Sequence, residues 1–248
     1  AKNQVQATGN AQNLRLNINA PTLYEIYAGL RGRAYGYLNI QSQPRLRATA
    51  NLAVDNFGFK DLIDMRKLRI VGQLPTSETT PSLLTAKMES LRSGNREIQQ
   101  GEISLAGIRK AHLLKVSAQN EKSKFYVQLA GGFNAQNDWL GQIQKGDFDS
   151  LRARLVQRQS AAVVYNSAKA DLLIGAHCWM SQQSQLCFDQ PIRVSKTRGN
   201  ISFLTQNLDL NDFAAFMPEG LAITGKLNGH AKAVWAQEKK KKIDARLV

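Results

Sequence analysis

The residues whose spacing could do chemistry are concentrated in the last third of the chain. The segment from Gly220 to Leu227 reads GLAITGKL, which is close to the phosphate-binding pattern GxxxxGK followed by Ser or Thr. Leu227 stands where the hydroxyl that holds magnesium would be, and a strand pattern rather than a helix pattern follows. We therefore interpret the segment as a glycine turn that leads into a strand.

Cys178 and Cys187 are the two cysteines of the chain, and eight residues separate them. The polar Ser-Gln-Gln-Ser tip between them is typical of a hairpin, in which the cysteines would face each other at about 5.5 Å between Cα atoms. We therefore predict a disulfide and an oxidising compartment. The alternative is a zinc site on His177, but His112 and His230 are isolated, so we expect no metal.

Other catalytic patterns are missing from the sequence. It contains no GxSxG, HExxH or CxxC, and the few carboxylates are scattered without an acid and base pair. We expect no enzyme activity, no catalytic residues and no cofactor.

The chain of 248 residues carries a formal charge of +14, which invites a nucleic-acid hypothesis. Four of these charges lie in the run Lys239–Lys242, and many others alternate with apolar residues, as around Arg45 and Arg152. Alternation is typical of the solvated face of a strand. Aromatic residues are not interleaved with the basic ones as in single-strand binders. We expect no nucleic-acid partner, and keep a basic β-rich nucleic-acid-binding module as an alternative.

The elements that must position these residues follow a period of two. Apolar residues alternate with polar ones in many short runs, which Gly, Asn, Asp, Ser or Pro clusters separate. The pattern predicts an all-β fold of antiparallel strands with a few short helical turns, at Thr22–Leu30, Lys60–Met65 and Asp212–Met217. Leu151–Arg158 fits either a strand or a helix. No apolar run approaches the ~18 residues of a membrane helix.

A weak internal repeat links two distant parts of the chain. Residues 16–40 and 208–229 both follow the order strand, short helical turn, strand. This repetition favours a modular, growing β-structure over one closed core.

The C-terminal half carries a more specific series of short patterns. Trp139-Leu-Gly-Gln-Ile, Phe148-Asp-Ser, His177-Cys-Trp, Leu186-Cys-Phe and Gly225-Lys-Leu-Asn-Gly follow one another in that order. This order resembles the TamB family, subunits of the translocation and assembly module in the AsmA-like superfamily. The resemblance is strongest over 135–235, and Leu151-Arg-Ala-Arg replaces the family's usual Gly-x-Trp.

The resemblance implies an elongated antiparallel sheet, curled along its length into a hydrophobic trough (a β-taco, or repeating β-groove). It implies a section of a protein that crosses the periplasm of a Gram-negative bacterium from an inner-membrane anchor to a TamA-type outer-membrane barrel. The anchoring helix and the barrel-binding part would lie outside this chain. The implied function is outer-membrane biogenesis, through autotransporter and outer-membrane protein assembly or phospholipid transport between the membranes.

An alternating strand has one apolar face that must be covered, and a curled sheet can cover it with itself and with a guest. We expect 1–248 to be a single fragment of such a groove, with 236–248 as a basic segment. The guest would be phospholipid acyl chains or unfolded outer-membrane protein strands, and a purely structural spacer is the third alternative. The predicted groove lining comprises Leu14, Leu16, Ile18, Leu46, Ala48, Ala50, Leu52, Val54, Ile103, Leu105, Leu114, Val116, Phe125, Val127, Leu129, Leu172, Ile174, Ile201, Phe203, Ile223 and Leu227.

Overall fold

The computed structural model describes residues 2–43, 46–60, 62–75, 79–94, 96–151, 154–211, 224–236 and 239–247. These residues form β-strands joined by turns, with a short 3-10 helix at Leu23–Glu25, and their strand pairings are antiparallel. The predicted all-β, antiparallel fold class is therefore confirmed. The chain divides into two compact units, unit 1 at 1–121 and unit 2 at 122–248.

Unit 1 is a meander in which each strand pairs with the next along the chain. Its bounds are β1 Gln4–Asn10, β2 Asn13–Ala20, β3 Leu30–Gln41, β4 Arg47–Phe59, β5 Ile63–Pro75, β6 Ser82–Ser93, β7 Arg96–Ile108 and β8 Ala111–Gln119. Most of these strands alternate apolar and polar residues over 12 or 13 positions, which favours long regular pairing.

Unit 2 begins with a long hairpin and ends with another. Its bounds are β9 Ser123–Phe133, β10 Trp139–Ser150, β11 Arg154–Gln157, β12 Ala161–Asn166, β13 Asp171–Ile174, β14 His177–Met180, β15 Gln185–Phe188, β16 Ile192–Val194, β17 Arg198–Asp209, β18 Lys226–Ala236 and β19 Lys239–Leu247. β9 pairs with β10, and β17 pairs with β18, which pairs with β19.

Between β10 and β17 the sheet of unit 2 splits into two arms of short strands. One arm runs from β10 through β12, β13 and β16 to β17. The other runs from β10 through β11, β14 and β15 to β17. The chain crosses between the two arms three times, from β11 to β12, from β13 to β14 and from β15 to β16.

Each arm has its own buried apolar cluster. Ile143, Ala161 and Val163 form the first, against which Val127, Leu129, Trp139, Leu172 and Ile174 pack. Phe148, Leu155 and Leu208 form the second, and it contacts Phe125, Trp179, Leu186 and Leu227.

The predicted short helical turns agree least well with the structure. A 3-10 helix at Leu23–Glu25 falls within the predicted Thr22–Leu30 turn. The turn predicted at Lys60–Met65 is wrong, because β5 already begins at Ile63 and pairs with Phe59 of β4. The Asp212–Met217 turn lies outside the described residues, as does the first half of the Gly220–Leu227 segment, residues 220–223. Lys226 and Leu227 at the end of that segment begin strand β18.

The ambiguous segment Leu151–Arg158 contains a strand, β11, over its described part. Both copies of the internal repeat contain antiparallel strand pairs, β2 with β3 and β17 with β18. No helix in the described part of the chain has the length and apolar character needed to span a membrane.

Candidate functional site

The strand register of unit 1 shows which side chains share a face, because directly opposed residues of an antiparallel pair point the same way. Two parallel rows cross all of its strands and contain only apolar residues and glycine. One row is Val5, Ile18, Gly36, Leu52, Ile70, Ala86, Ile103 and Val116. The other row is Ala7, Leu16, Leu38, Ala50, Gly72, Leu84, Leu105 and Leu114. We call the face that carries these rows the apolar face.

The residue row between these two carries the opposite character. It consists of Gln6, Asn17, Tyr37, Asn51, Val71, Thr85, Ser104 and Lys115. Its side chains point to the other side of the sheet, which we call the polar face.

The register brings together nearly all of the groove lining predicted in unit 1. Leu14 and Ala48 extend the apolar face on one side, and Val54 extends it on the other. Leu46 precedes β4 and leaves 47% of its surface exposed. The prediction that these residues line a groove for a guest stays a prediction.

The apolar face is only partly covered. Ile103 on β7 exposes 47% of its surface, and Val5 on β1 exposes 64%. Among the described residues of unit 1, the buried apolar side chains are Ala20 and Leu23, both near the end of β2. This face therefore keeps accessible apolar surface that another molecule could bury.

Charged groups of unit 1 pair with one another on the polar face. Arg33 Nε lies 3.4 Å from Asp55 Oδ2, and Lys87 Nζ lies 3.5 Å from Glu102 Oε2. The Arg15 guanidinium stacks on the Tyr37 ring at 4.7 Å. The sequence alternation thus places these charges on the side opposite to the apolar rows.

Near one end of the strands, the backbone bends at Asn56 and Ser90, which both have a left-handed φ of about 50°. A cavity of about 680 Å³ opens there, and its lining includes Arg66 and Arg92. Glu97 accepts a hydrogen bond from Ser90 Oγ at 2.7 Å and pairs with Arg92, and both interactions hold its pKa below the usual range. The polar lining does not suit an acyl chain.

In unit 2 the predicted lining residues lie in a different setting. Phe125, Val127, Leu129, Leu172, Ile174 and Leu227 pack against the two buried clusters. Phe203 contacts Phe188 edge-on, with 6.4 Å between ring centroids, and Ile201 is half-buried on the same strand. Ile223 lies outside the described residues. Unit 2 therefore buries much of its apolar surface within its own structure.

The three tryptophans explain how unit 2 closes. A Cβ built on Gly146 would lie 2.2 Å from the Trp179 ring, and one on Gly199 would lie 1.8 Å from Trp235. Trp139 similarly covers Gly141, where a Cβ would lie 2.6 Å from the ring. Each large ring thus occupies space that a facing glycine leaves free. Sequence reasoning missed these contacts, of which only Gly199 with Trp235 is a directly opposed pair of the strand register.

Cys178 and Cys187 lie directly opposite each other on β14 and β15, with Cα atoms 4.0 Å apart, and a disulfide joins them. His177 is occupied by other contacts, since its Nδ1 lies 2.8 Å from the Gly175 carbonyl and its ring stacks on Phe188. Within the described ranges, no group of three or more His, Cys, Asp or Glu residues could hold a metal ion.

Two carboxylates of unit 2 are held by arginines. The Asp171 side chain, only 9% exposed, receives hydrogen bonds from Arg193, and Arg198 lies 3.6 Å away. Asp147 pairs with Arg154 across β10 and β11. In each case the hydrogen bond from the arginine is the main cause that holds the carboxyl pKa below its ordinary value.

Ser202, Asp189 and His230 meet in unit 2, a combination that catalytic sites also use. Ser202 Oγ lies 2.9 Å from Asp189 Oδ1 and 2.8 Å from His230 Nε2. In a catalytic triad the acid orients the histidine, whereas here both groups bond the hydroxyl. Ser202 is also 1% exposed, so a substrate could not reach it. The cluster is best explained as a link between β17, β18 and the β15–β16 turn.

Comparison with known proteins identifies a curated relative and a matching family. It is 26% identical over 249 residues to the Translocation and assembly module subunit TamB of Haemophilus influenzae, in a match covering 96% of this chain and 19% of that protein. The chain thus spans about a fifth of the length of that curated relative. No solved structure matches it. The family described as "TamB, N-terminal domain" matches residues 1–248, and the chain therefore belongs to that family.

Proposed function

We propose that this chain is a periplasmic, non-enzymatic section of a translocation and assembly module subunit, and that the apolar face of unit 1 carries phospholipid acyl chains. The single observation that supports this most is the pair of uninterrupted apolar rows, which cross every strand from β1 to β8. Family membership supports the wider role in outer-membrane biogenesis with a TamA-type barrel partner. The inner-membrane anchor and the barrel contact would belong to other parts of the protein.

The chemistry of the apolar face favours an acyl chain over an unfolded strand. An acyl chain needs apolar contact alone and gains about 0.8 kcal/mol for each methylene removed from water. A client polypeptide would also need backbone hydrogen-bond partners, which the interior strands β2 to β7 already use for each other. Rows of similar side chains give no deep energy minimum, so a guest could move along them.

The disulfide supports the proposed compartment. Cys178 and Cys187 are joined across two adjacent strands, and such bonds persist in oxidising environments such as the bacterial periplasm. Periplasmic material analysed by mass spectrometry should contain the linked pair. Two free thiols would contradict this compartment.

The nucleic-acid alternative finds less support in the structure. Several basic residues on the polar face are already paired with carboxylates, including Arg33, Lys67 and Lys87. A nucleic-acid module would retain a short oligonucleotide with a steep dependence on salt. We expect any retention to depend on the Lys239–Lys242 run and to vanish when that run is deleted.

Site-specific photo-crosslinking tests the proposal directly. Crosslinkers would replace Ala48, Ala50 and Leu52 on the apolar face, and the matched controls are Thr49, Asn51 and Ala53 of the same strand, which point the other way. We expect phospholipid adducts at the first set and few at the second. Equal labelling of both sets would contradict a lipid-carrying face, and peptide adducts at the first set would replace lipid by a polypeptide client.

A further inference from the structure

Two neighbouring loops at one end of unit 1 hold apolar side chains out into solvent. In the β2–β3 loop, Tyr24, Ile26 and Tyr27 expose 61%, 56% and 53% of their surface. In the β4–β5 turn, Leu62 exposes 60%. We call these four residues the tip. Side chains of this kind usually turn inward, so their shared exposure needs a reason.

The two loops of the tip are joined to each other. The backbone N–H of Lys60 donates to the Gly29 carbonyl at 2.7 Å, and the Tyr27 ring stacks on Phe59 with 6.3 Å between centroids. Arg31 also donates to the Lys60 carbonyl at 3.1 Å. The exposed side chains therefore belong to one connected surface.

The β2–β3 loop is also fixed in place. Leu23 is buried beneath it at 8% exposure, and the 3-10 helix Leu23–Glu25 closes its first turn. Asn3 donates to the Thr22 carbonyl at 2.7 Å and accepts the Thr22 N–H at 3.1 Å. The loop thus buries one apolar side chain and presents three others in a defined arrangement. Binding would therefore cost little conformational entropy.

The size of the tip argues against a stable protein partner. Its four side chains expose roughly 500 Å² together, at the upper end of the apolar patches found on soluble monomers. Each partner of a stable protein complex buries about 800 Å², which is more than the tip offers. A bilayer has no such requirement, because each side chain that enters its interface contributes separately.

The residue types also suit a bilayer interface. Tyrosine combines an apolar ring with a hydroxyl that stays in the headgroup layer, and Ile and Leu reach the acyl boundary. Residues 21–29 and 60–62 contain only three charged residues, which are Glu25, Lys60 and Asp61. Contact through the tip would therefore not depend on anionic lipids or on low salt, in contrast to a polybasic attachment.

We propose that the tip formed by Tyr24, Ile26, Tyr27 and Leu62 inserts into the interfacial layer of a phospholipid bilayer. The tip lies where β2 and β4 end and where β3 and β5 begin. A bilayer held there would border the apolar face that those strands carry. Membrane contact at the tip does not require that the apolar face carries lipid. If the apolar face does carry lipid, the tip would be the place where acyl chains pass from the bilayer to that face.

Vesicle flotation of the 248-residue chain tests the proposal. Phosphatidylcholine vesicles in high salt suppress electrostatic attachment of a chain with a +14 charge and leave the apolar contribution. The test variant is the double substitution Ile26→Ser with Leu62→Ser. The matched control is Val71→Ser with Leu83→Ser, whose exposures of 49% and 60% are similar but whose side chains lie on the polar face of β5 and β6, away from the tip.

We expect the tip variant to lower the partition coefficient at least tenfold and the control to leave it within about twofold, with unchanged far-UV circular dichroism melting in both. Equal flotation of all three proteins would overturn the proposal. The proposal would also be overturned if the unmodified chain associated with itself in the absence of vesicles and the tip variant did not. The partner of the tip would then be a second copy of the chain.

A second measurement keeps the test valid if the double variant folds poorly. The native cysteines are joined in a disulfide, so a thiol introduced by Ile26→Cys can be labelled selectively with an environment-sensitive fluorophore. Its emission should shift to the blue when vesicles are added, and the same label at Val71→Cys should not respond. A silent probe at position 26 would contradict insertion. Loss of crosslinking on the apolar face alone would leave this proposal intact.

Discussion

Unit 1 and unit 2 use the same alternation of apolar and polar residues, and they end in different structures. In unit 1, strands of up to 13 residues pair in chain order and keep an accessible apolar face. In unit 2, the sheet between β10 and β17 consists of strands of three to six residues, and many of its apolar residues pack around two buried clusters, although some, such as Leu140 and Leu173, stay exposed.

The difference lies in the size of the side chains. The apolar rows of unit 1 combine Leu, Ile and Val with Ala and Gly, and these small residues cannot reach across to cover a sheet. Unit 2 contains all three tryptophans of the chain, each resting on a glycine. Alternation therefore determines that a face is apolar, whereas large rings opposite glycines determine whether it is closed.

The largest expected difference between the units concerns truncation of a core side chain. Phe148→Ala in unit 2 removes a ring that is 6% exposed and should cost about 3–5 kcal/mol of unfolding free energy. Ile70→Ala on the apolar face of unit 1 should cost about 1 kcal/mol, because that side chain is only half-buried. Urea unfolding followed by tryptophan emission reports on unit 2 alone, and far-UV circular dichroism reports on the whole chain. Equal costs would contradict the comparison.

The disulfide should contribute the next largest effect, and only in unit 2. Replacing both Cys178 and Cys187 by Ser opens a loop of about ten residues and should lower the unfolding free energy by about 2–3 kcal/mol. The tryptophan-detected urea midpoint should fall by a corresponding amount. An unchanged midpoint would show that the pairing of β14 with β15 is sufficient without the bond.

A substitution of glycine tests the role of the large rings. Gly146→Ala forces the Trp179 ring to move and should cost about 1–3 kcal/mol, since the ring is held in the second cluster. The control is Gly101→Ala in unit 1, where the new Cβ would meet only the flexible end of Met88. That change should cost less than about 1 kcal/mol. If both variants lose the same amount of unfolding free energy, tryptophan packing is not what closes unit 2.

The smallest expected effect is a dependence of unit 2 on pH. Arg193 and Arg198 hold the pKa of Asp171 below its ordinary value, so the charged carboxylate stabilises the folded state above about pH 4, and this contribution is lost as the pH falls through the lowered pKa. Asp171→Asn should therefore destabilise unit 2 at neutral pH, and the gap to the unmodified chain should narrow in acid. A gap that widens in acid would contradict this sign.

Much of the fold could be predicted from the sequence, for a definable reason. The period of two at Leu46–Val54 and at Leu114–Ala118 corresponds to strands β4 and β8, because solvent on one side of a strand imposes the pattern directly. The helical turn at Lys60–Met65 was wrong because a turn this short leaves no periodicity to distinguish it from a hairpin. The cysteine hairpin was predictable from spacing alone.

The candidate site divides in the same way. The sequence indicates which residues are apolar on alternate positions, and the register then brings Ile18, Leu52 and Val116 into one row, a long-range pairing that local patterns do not contain. The closure of unit 2 could not be predicted, because Trp179 and Gly146 are distant in sequence and nothing local joins them. The exposed tip was missed because Thr22–Leu30 was predicted only as a short helical turn, and such a pattern does not indicate how exposed its apolar side chains are.

The most direct test of the account is the lipid content of the purified chain, measured by extraction and mass spectrometry for three proteins. Leu52→Asp puts a charge in the middle of the apolar face, and Asn51→Asp puts the same charge on the polar face of the same strand. We expect phospholipid to copurify with the unmodified chain and with Asn51→Asp. We expect it to be lost from Leu52→Asp while the far-UV circular dichroism melt stays within a few degrees. Loss of the fold in Leu52→Asp would instead show a spacer whose apolar face is closed by packing, and equal lipid content in all three proteins would contradict a lipid-carrying face.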